Sequence, residues 1–404
     1  MLIMLKKSIL FCIINCIFCI LNAQNVEFFG YINDMPSGIW LNQPTSTFYW
    51  QNILHNRMNF GWQINKNFRF DASARTRLLT GSSQMLDANQ INADKGVVDM
   101  SWNVFGGENA ILNMSLDRLN FTFEKNKISL TLGRQRINWG QNFVWNPNDI
   151  FNTYSFFDFD YPERAGCDAL RAIYYHSAVS SSEFAVSLSH KNEITAAAMH
   201  RWNWKNFDFQ VIGGVINAGG TKFSQNNYAD SVSYLPADLV IGGAWSGDIK
   251  GISCRGEFSY FHSLEKHSDW EAKNTFTASV GLDYTFSNSL FLQTEALYNT
   301  INDENVLLGN GIIGIYSQPL SAKNLSFAKW NIFTQATYPF SPRLNGSVSS
   351  IYYPDRKGGY AGFSIDYSLI QNLNLALFMQ TFYISLNPKP LECFLGFVRL
   401  KYSF

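Results

Sequence analysis

Apolar and polar residues alternate with a period of two along most of this chain, and the last eleven residues illustrate the pattern best. Successive residues of a strand point to opposite faces, so one face of this segment suits hydrocarbon and the other suits water. The apolar side carries Phe394, Val398, Leu400, Tyr402 and Phe404, and the polar side carries Arg399, Lys401 and Ser403. The pattern predicts a strand with a lipid-facing side and a wet side.

Eighteen segments of this kind follow one another from residue 26 to the end, with almost no stretch of helical period. The predicted strands are Val26–Asn33, Phe48–Ile64, Phe68–Leu79, Leu112–Lys125, Ile128–Ile137, Asp168–Ser177, Glu183–His190, Ile194–Trp204, Phe207–Asn217, Asp238–Ile249, Ile252–Ser263, Asn274–Phe286, Leu290–Thr300, Leu325–Phe340, Arg343–Tyr353, Tyr360–Leu369, Leu373–Leu386 and Cys393–Phe404. Short turns such as 126–127 alternate with long loops such as 80–111 and 138–167, which is typical of membrane barrels.

These observations predict an all-β fold, a single transmembrane antiparallel up-and-down β-barrel of about 18 strands, with 16 strands as the alternative. In a barrel of this width the wall side chains cannot fill the middle, so the lumen is expected to hold water unless loops occupy it. A soluble sandwich that ends on an edge strand is the other interpretation, but its loops have no reason to alternate in length.

The two ends of the chain predict export. Lysines at 6 and 7 precede an apolar core that is too short for a stable membrane anchor, and Ala23 offers a cleavage site, so residues 1–23 read as a signal peptide. The domain prediction is therefore a signal peptide at 1–23 and a barrel at 24–404, with no plug domain before Val26. At the other end, the pattern Leu400, Tyr402, Phe404 resembles the C-terminal signal by which the barrel-assembly machinery recognises outer-membrane barrels.

Composition excludes several classes of function. The chain has 31 basic and 31 acidic side chains, which gives no reason to expect nucleic-acid binding, while aromatic residues reach 16%. Outside the signal peptide the three cysteines have no paired spacing, so neither a disulfide scaffold, nor a metal site, nor any cofactor is expected. No nucleophile elbow, P-loop or GxGxxG motif occurs, and we expect no catalytic residues. An outer-membrane lipase or acyltransferase is the remaining enzyme alternative.

Arginines recur on one face of the predicted strand Phe68–Leu79. Arg69, Arg75 and Arg77 share that face, and a charge facing lipid at mid-membrane would cost about 2–4 kcal/mol, so we expect the arginines to line the lumen. Across the next hairpin, register would set Leu119 against Arg134, which do not suit one face. We therefore predict a bulge at Gly133 that turns Arg134 into the lumen.

The segments Asp117–Leu119, Leu132–Gly140 and Asn146–Asn152 carry a resemblance to a known group of proteins. They are similar to a signature of porin-like bacterial outer-membrane proteins, in the alginate-export and related uncharacterised families. In porins the third long loop commonly folds into the barrel and narrows it. The resemblance implies the same for the third long loop of this chain, at about 138–167.

That loop is rich in aromatic residues, including Trp139 and Trp145, which packing inside the barrel mouth would accommodate. It also contains acidic residues that would face the basic wall: Asp149, Asp158, Asp160 and Glu163 on the loop, and Arg69, Arg75, Arg77, Arg134 and Arg136 on the wall. Acid opposite base would create a transverse field across a constriction and select among solutes. The alternative is that the arginines only neutralise the loop carboxylates and hold the loop in place.

The sequence thus predicts an outer-membrane porin-like channel for passive diffusion of small hydrophilic solutes, anionic ones among them. A barrel that exports or anchors a polysaccharide, and a plugged structural barrel of a secretion machine, are the alternatives. The expected partners are outer-membrane lipid, lipopolysaccharide, the barrel-assembly machinery and the solutes. Both termini are expected in the periplasm. The oligomeric state stays open between monomer and homotrimer, because a trimer face and a lipid face are equally apolar.

Overall fold

The computed structural model of the chain describes residues 25–42, 45–154, 163–219, 236–264, 273–300, 321–385 and 389–404. The described residues contain nineteen strands. These are β1 (Val26–Leu41), β2 (Thr47–Asn65), β3 (Phe68–Gly81), β4 (Ser101–Gly106), β5 (Ala110–Lys125), β6 (Ile128–Gln135), β7 (Cys167–Ser177), β8 (Ser180–Leu188), β9 (Ile194–Trp204), β10 (Phe207–Ala218), β11 (Asp238–Ile249), β12 (Ile252–Ser263), β13 (Thr275–Thr285), β14 (Phe291–Asn299), β15 (Trp330–Ser341), β16 (Leu344–Tyr353), β17 (Gly358–Ile370), β18 (Leu373–Ile384) and β19 (Leu391–Ser403).

The strands form one closed antiparallel barrel. Each strand pairs with its neighbours in sequence, except that β3 pairs with β5, and β1 pairs with β19 to close the sheet. Eighteen strands make the barrel wall, as the sequence predicts. β4 is an additional short strand that pairs with residues 111–115 of β5. A short helix, α1 (Ala88–Asn92), precedes it and begins after Asp87, whose carboxylate accepts hydrogen bonds from two backbone N–H groups.

The two faces of the wall differ as the alternation predicts. Large apolar side chains are exposed on the outside, for example Phe276, Val280 and Leu282 on β13, while Thr277 and Ser279 point into the lumen and are buried. An apolar outer surface on a closed sheet is the arrangement that spans a lipid bilayer, because closure satisfies every backbone hydrogen bond. Among the described residues, no helix is long and apolar enough to cross a membrane.

Strand positions agree with the sequence prediction within a few residues, with three informative differences. β1 continues to Leu41, well past the predicted end at Asn33. The predicted strand Leu325–Phe340 starts only at Trp330, because residues 321–328 lie inside the barrel. The strand β4 was not predicted, since its six residues lie inside a long loop.

The predicted bulge is in a different place. β6 pairs with β5 in unbroken register through Gly133, which adopts a φ of 114°, and Leu119 lies directly opposite Arg134. The shift occurs instead between β3 and β5, where Asp117 is the extra residue between Leu116 and Arg118. A bulge puts neighbouring side chains on the same side, and both Asp117 and Arg118 make lumenal contacts.

The two chain ends differ in what the structure describes. The predicted signal peptide, residues 1–23, lies outside the described residues. At the C-terminus, Leu400, Tyr402 and Phe404 are exposed on the outer face. The N–H of Phe404 donates to the carbonyl of Gly30 on β1, and the N–H of Gly30 donates back to Phe404. The last residue therefore takes part in the seam that closes the barrel.

Candidate functional site in the barrel lumen

Below, the end of the barrel that carries the long loops is called the long-loop end, and the opposite end the short-turn end. Residues 136–154, which follow β6, lie against lumenal side chains of strands β8 to β15. We call the described residues 136–154 and 163–166 the inner loop. The indole Nε1 of Trp139 donates to Glu183 on β8 at 2.7 Å. Gln210 on β10 donates to the backbone carbonyl of Trp139 at 2.8 Å.

Two buried glutamates on the wall accept hydrogen bonds from the backbone of this loop. Glu257 on β12 accepts hydrogen bonds from the N–H groups of Gln141, Asn142 and Asn148. Its side chain is 1% exposed. A buried carboxylate is tolerated only when hydrogen bonds replace its lost hydration, and here loop N–H groups do so.

Glu295 on β14 repeats the arrangement one strand pair further on. Its carboxylate accepts from three consecutive N–H groups, those of Phe143, Val144 and Trp145, at 3.2, 3.1 and 2.7 Å. Three successive N–H groups that converge on one anion form a backbone nest. Since a nest is made by the backbone, the loop is held whatever side chains it carries at these positions.

Side chains complete the docking. Asn142 donates to the hydroxyl of Ser279, which in turn donates to the carbonyl of Trp145 at 2.9 Å. Ser259 donates to Asn148 at 2.8 Å. The ring of Trp145 meets Phe333 on β15 edge to face, at 6.4 Å between centroids. Polar and apolar contacts together hold the loop against the strands β12 to β15.

A second segment, residues 321–328, occupies the lumen beside the inner loop. Leu325 and Phe327 pack in the same buried cluster as Trp145. The ammonium group of Lys323, 5% exposed, lies 2.8 Å from Asp238 on β11. Sequence analysis assigned residues 325–328 to the strand Leu325–Phe340, because their alternation extends that of β15. No residue of it was proposed as a site residue.

The opposite side of the lumen is basic. Arg57 on β2 faces Arg75 on β3, and Arg77 lies one pair further along. Arg77 donates to the amide oxygen of Asn113 at 3.1 Å, and Arg57 forms an ion pair with Asp117 at 2.5 Å. We call Arg57, Arg75, Arg77 and Arg118 the basic wall. Arg57 and Arg118 were not among the predicted site residues, although the alternation of β2 already puts Arg57 on the lumenal face.

The basic wall also meets the inner loop. Arg118 donates to the backbone carbonyls of Glu163 and Arg164, at 3.0 and 2.8 Å. Glu163 accepts a hydrogen bond from the hydroxyl of Tyr31 at 2.9 Å. The predicted residues Asp158 and Asp160 lie outside the described residues.

Arg69 stands apart from the basic wall, although it shares a face of β3 with it. It lies near the short-turn end, is 37% exposed, and forms ion pairs with Glu27 and Asp71 at 2.9 Å each. The predicted ladder of arginines is therefore divided. Arg75 and Arg77 belong to the basic wall, whereas Arg69 is part of a local charge cluster.

Arg134 differs from the prediction that it turns into the lumen. It shares the outer face with Leu132, which is 63% exposed, and lies opposite Asp168 on β7. Its guanidinium bonds Asp168 at 2.7 Å, Asp94 at 2.6 Å and the carbonyls of Val98 and Leu116. All five N–H donors of the guanidinium are thereby engaged. The prediction failed because it assumed lipid outside this position.

What lies outside Arg134 is the segment 94–106, which we call the wall segment. The N–H of Leu116 on β5 bonds the carbonyl of Met100, and on the other side the N–H of His190 bonds the carbonyl of Lys95. Gly96 passes so close to the guanidinium that a Cβ there would overlap Arg134. The wall segment thus fills the gap in the wall at the long-loop end, where β6 ends at Gln135 and β7 begins at Cys167.

Asp149 lies at the centre of the inner loop and is completely buried. Burial raises the pKa of its carboxyl from 3.8 to about 7, and the positive charges of Arg136 and Arg164 oppose the rise. Arg164 in turn lies over the ring of Tyr154 at 2.7 Å from the centroid. Arg136, which was predicted on the wall, follows β6 and belongs to the inner loop, where its positive charge acts on Asp149.

Three solved outer-membrane porins share this fold. OpdQ of Pseudomonas aeruginosa is 8% identical, with 95% of this chain and 99% of OpdQ covered at a TM-score of 0.55. OccAB4 of Acinetobacter baumannii is 10% identical, with 94% and 99% covered at 0.54. OccK11 (OpdR) of P. aeruginosa is 8% identical, with 94% and 96% covered at 0.54. Similarity at this identity concerns the fold alone.

By fold and outer surface, the chain is a closed 18-stranded transmembrane β-barrel of the outer-membrane type, with the fold of the three proteins above. No protein-family model and no curated protein matches its sequence. The narrower resemblance to the alginate-export families therefore rests on the sequence motifs alone.

Proposed function

We propose that the protein is a channel for passive diffusion of small hydrophilic solutes, anionic ones among them, and that the inner loop narrows its lumen. Solutes pass between the docked loop and the basic wall. No step of this function is catalytic. The loop sets the width of the path, and the arginines set its preference for charge.

The observation that carries the proposal is the docking of the inner loop by Glu257 and Glu295. Six backbone N–H groups of the inner loop donate to these two carboxylates. The two glutamates lie on β12 and β14, on the side of the lumen opposite the basic wall. A loop held this firmly can act as a fixed constriction. The positive groups of the basic wall lie on β2, β3 and β5, and their field would attract anions into the remaining space.

A barrel with a closed lumen is the second candidate, and residues 321–328 favour it. Together with the inner loop they bring apolar side chains such as Val144 and Phe327 into the lumen. If the two segments and the residues beside them fill the whole cross-section, the barrel has a structural or polysaccharide-related role. We further propose that Leu400, Tyr402 and Phe404 serve as the assembly signal.

Single-channel recording on the refolded mature chain in planar bilayers separates the candidates. We expect steady open channels that prefer anions, and a shift of the reversal potential toward cations in Arg75→Ala/Arg77→Ala. Arg69→Ala is the matched control on the same strand and face, and it should shift the potential less, since Arg69 lies near the short-turn end, away from the docked loop, and is 37% exposed.

A barrel that folds but never conducts would exclude the channel and favour the closed lumen. Equal shifts in the double variant and in Arg69→Ala would mean that selectivity reflects general charge in the lumen. The specific role of the basic wall would then be wrong.

A further inference from the structure

The outer face of β1, β2 and β3 carries a polar patch in the middle of the membrane span. Asp34, Asn52, Asn56 and Thr76 all point outward, since they alternate with the lumenal residues of their strands and pair with outward neighbours such as Leu54 and Leu400. Each of the four is half-buried. We call them the outer polar patch.

The depth of the patch follows from the aromatic residues above and below it. On β1, Asp34 lies six residues from Phe28 and six from Trp40, both exposed on the outside. On β2, Asn56 lies six residues from Trp62 and six from Trp50, which are exposed as well. Outward aromatic residues of this kind mark the two membrane interfaces, so the patch lies midway between them.

Lipid is a poor neighbour for this patch. Acyl chains offer no hydrogen-bond donor to a carboxylate, and headgroups are out of reach at this depth. Within the chain, Asn52 donates to Asp34 at 3.0 Å, and this is the hydrogen bond that the described residues supply to the half-buried carboxylate. At the same level of β13 and β14 the outer face carries the apolar residues Val280, Leu282 and Ala296 beside Thr294, whose hydroxyl donates to the carbonyl of Phe333 within the wall.

We propose that the outer polar patch is the contact surface for a second copy of this chain in the membrane. The patch is complementary to itself, because it combines a carboxylate with side-chain amides and a hydroxyl. Asn56 uses one N–H for the carbonyl of Tyr31, and an amide has two. The second N–H of Asn56 and the hydroxyl of Thr76 can therefore donate to Asp34 of another copy. This inference does not depend on whether the lumen conducts.

Cysteine crosslinking in cell envelopes tests the surface. With a short bis-maleimide, Asn56→Cys should give a product of twice the chain mass. Thr294→Cys, on the outer face of β14, is the matched control and should give much less, and the wild type reports the background from its own cysteines. Equal crosslinking at both positions, or a product that contains another protein, would overturn the proposal.

Mass measurement gives an independent test. In mild detergent the wild type should be an oligomer by native mass spectrometry, whereas Asp34→Leu/Asn52→Leu should be monomeric, because an apolar surface has no donor or acceptor for the second copy. Thr294→Leu should leave the oligomer intact. Heat-modified gel mobility checks that each barrel is folded. A monomeric wild type, or a double variant that stays oligomeric, would contradict the proposal.

Discussion

Two neighbouring long loops, one containing the wall segment and the other the inner loop, start from the same end of the barrel but lie in different places. The wall segment stays in the sheet and is held by one arginine, Arg134, whose partners are the side chains of Asp94 and Asp168 and two backbone carbonyls. The inner loop enters the lumen and is held by two glutamates that accept backbone N–H groups. The wall segment is thus held by a buried hydrogen-bond donor, the guanidinium of Arg134, and the inner loop by two buried acceptors, the carboxyl groups of Glu257 and Glu295.

The difference shows how a barrel wall stays closed where one of its strands is short. β6 has only eight residues, since the chain turns inward after Gln135. The wall above it would be open if the wall segment did not take the place of the missing pairs, with hydrogen bonds to β5 on one side and to residues 189–190 on the other. The inner loop and the wall segment therefore depend on each other.

The largest expected effect is on the wall segment. Arg134→Ala would leave Asp94 and Asp168, which are only 10% and 14% exposed, without their cation, and this should lower the free energy of unfolding by about 3–5 kcal/mol. Unfolding in urea, followed by tryptophan fluorescence in lipid vesicles, measures this. Arg399→Ala is the matched control, and because its partner Asp366 is 45% exposed it should cost less than about 1 kcal/mol.

The same variant tests the position of Arg134. Because Arg134 faces the outside, the ion selectivity of any channel that still folds should stay as in the wild type. A shift of the reversal potential as large as that of Arg75→Ala/Arg77→Ala would mean that Arg134 acts in the lumen, and the comparison of the two loops would fail.

The next effect is on the inner loop. Glu257→Ala/Glu295→Ala removes both acceptors and should weaken docking by on the order of 2–3 kcal/mol per glutamate. We expect a larger and noisier conductance in single-channel recordings, while the barrel stays folded. Glu257→Gln/Glu295→Gln keeps an acceptor oxygen at each site and should lie between this variant and the wild type. An unchanged conductance would mean that apolar packing, such as Trp145 on Phe333, holds the loop alone.

Most of the fold could be predicted from the sequence, because a membrane requires strict alternation in every strand that crosses it. The eighteen wall strands follow from that requirement, and so does the lumenal position of Arg75. The requirement fails where protein replaces lipid. Arg134 lies on the outer face because Asp94, forty residues earlier, covers it, and alternation within β6 contains no information on that partner.

The candidate site was less predictable, for a similar reason. Alternation puts Glu257 and Glu295 on the lumenal face. However, a lumenal carboxylate that faces passing solutes and one that accepts hydrogen bonds from loop N–H groups have the same sequence pattern. Which of them docks the loop depends on contacts between residues more than one hundred positions apart. The lumenal position of residues 321–328 could not be predicted, since their alternation matches that of a strand.

The smallest effect concerns the charge state of the inner loop. Burial holds the pKa of Asp149 at about 7, above its ordinary value of 3.8, so the docked loop binds a proton that a released loop would lose. The stabilisation is complete below pH 3.8 and is lost by the time the pH has risen through 7, because between these values a released loop ionises whereas the docked carboxyl has to keep its proton. The nearby charges of Arg136 and Arg164 limit the loss.

We therefore expect the open-channel noise of the wild type to increase modestly between pH 5 and pH 7 and to level off above pH 7. Asp149→Asn resembles the protonated form and should show no pH dependence of the noise across this range. Arg134→Ala leaves Asp149 and its surroundings in the inner loop in place, and a variant that still folds should keep the pH profile of the wild type. If Asp149→Asn kept the pH dependence of the wild type, the titrating group would lie elsewhere in the lumen, and docking by Glu257 and Glu295 would be the first place to look.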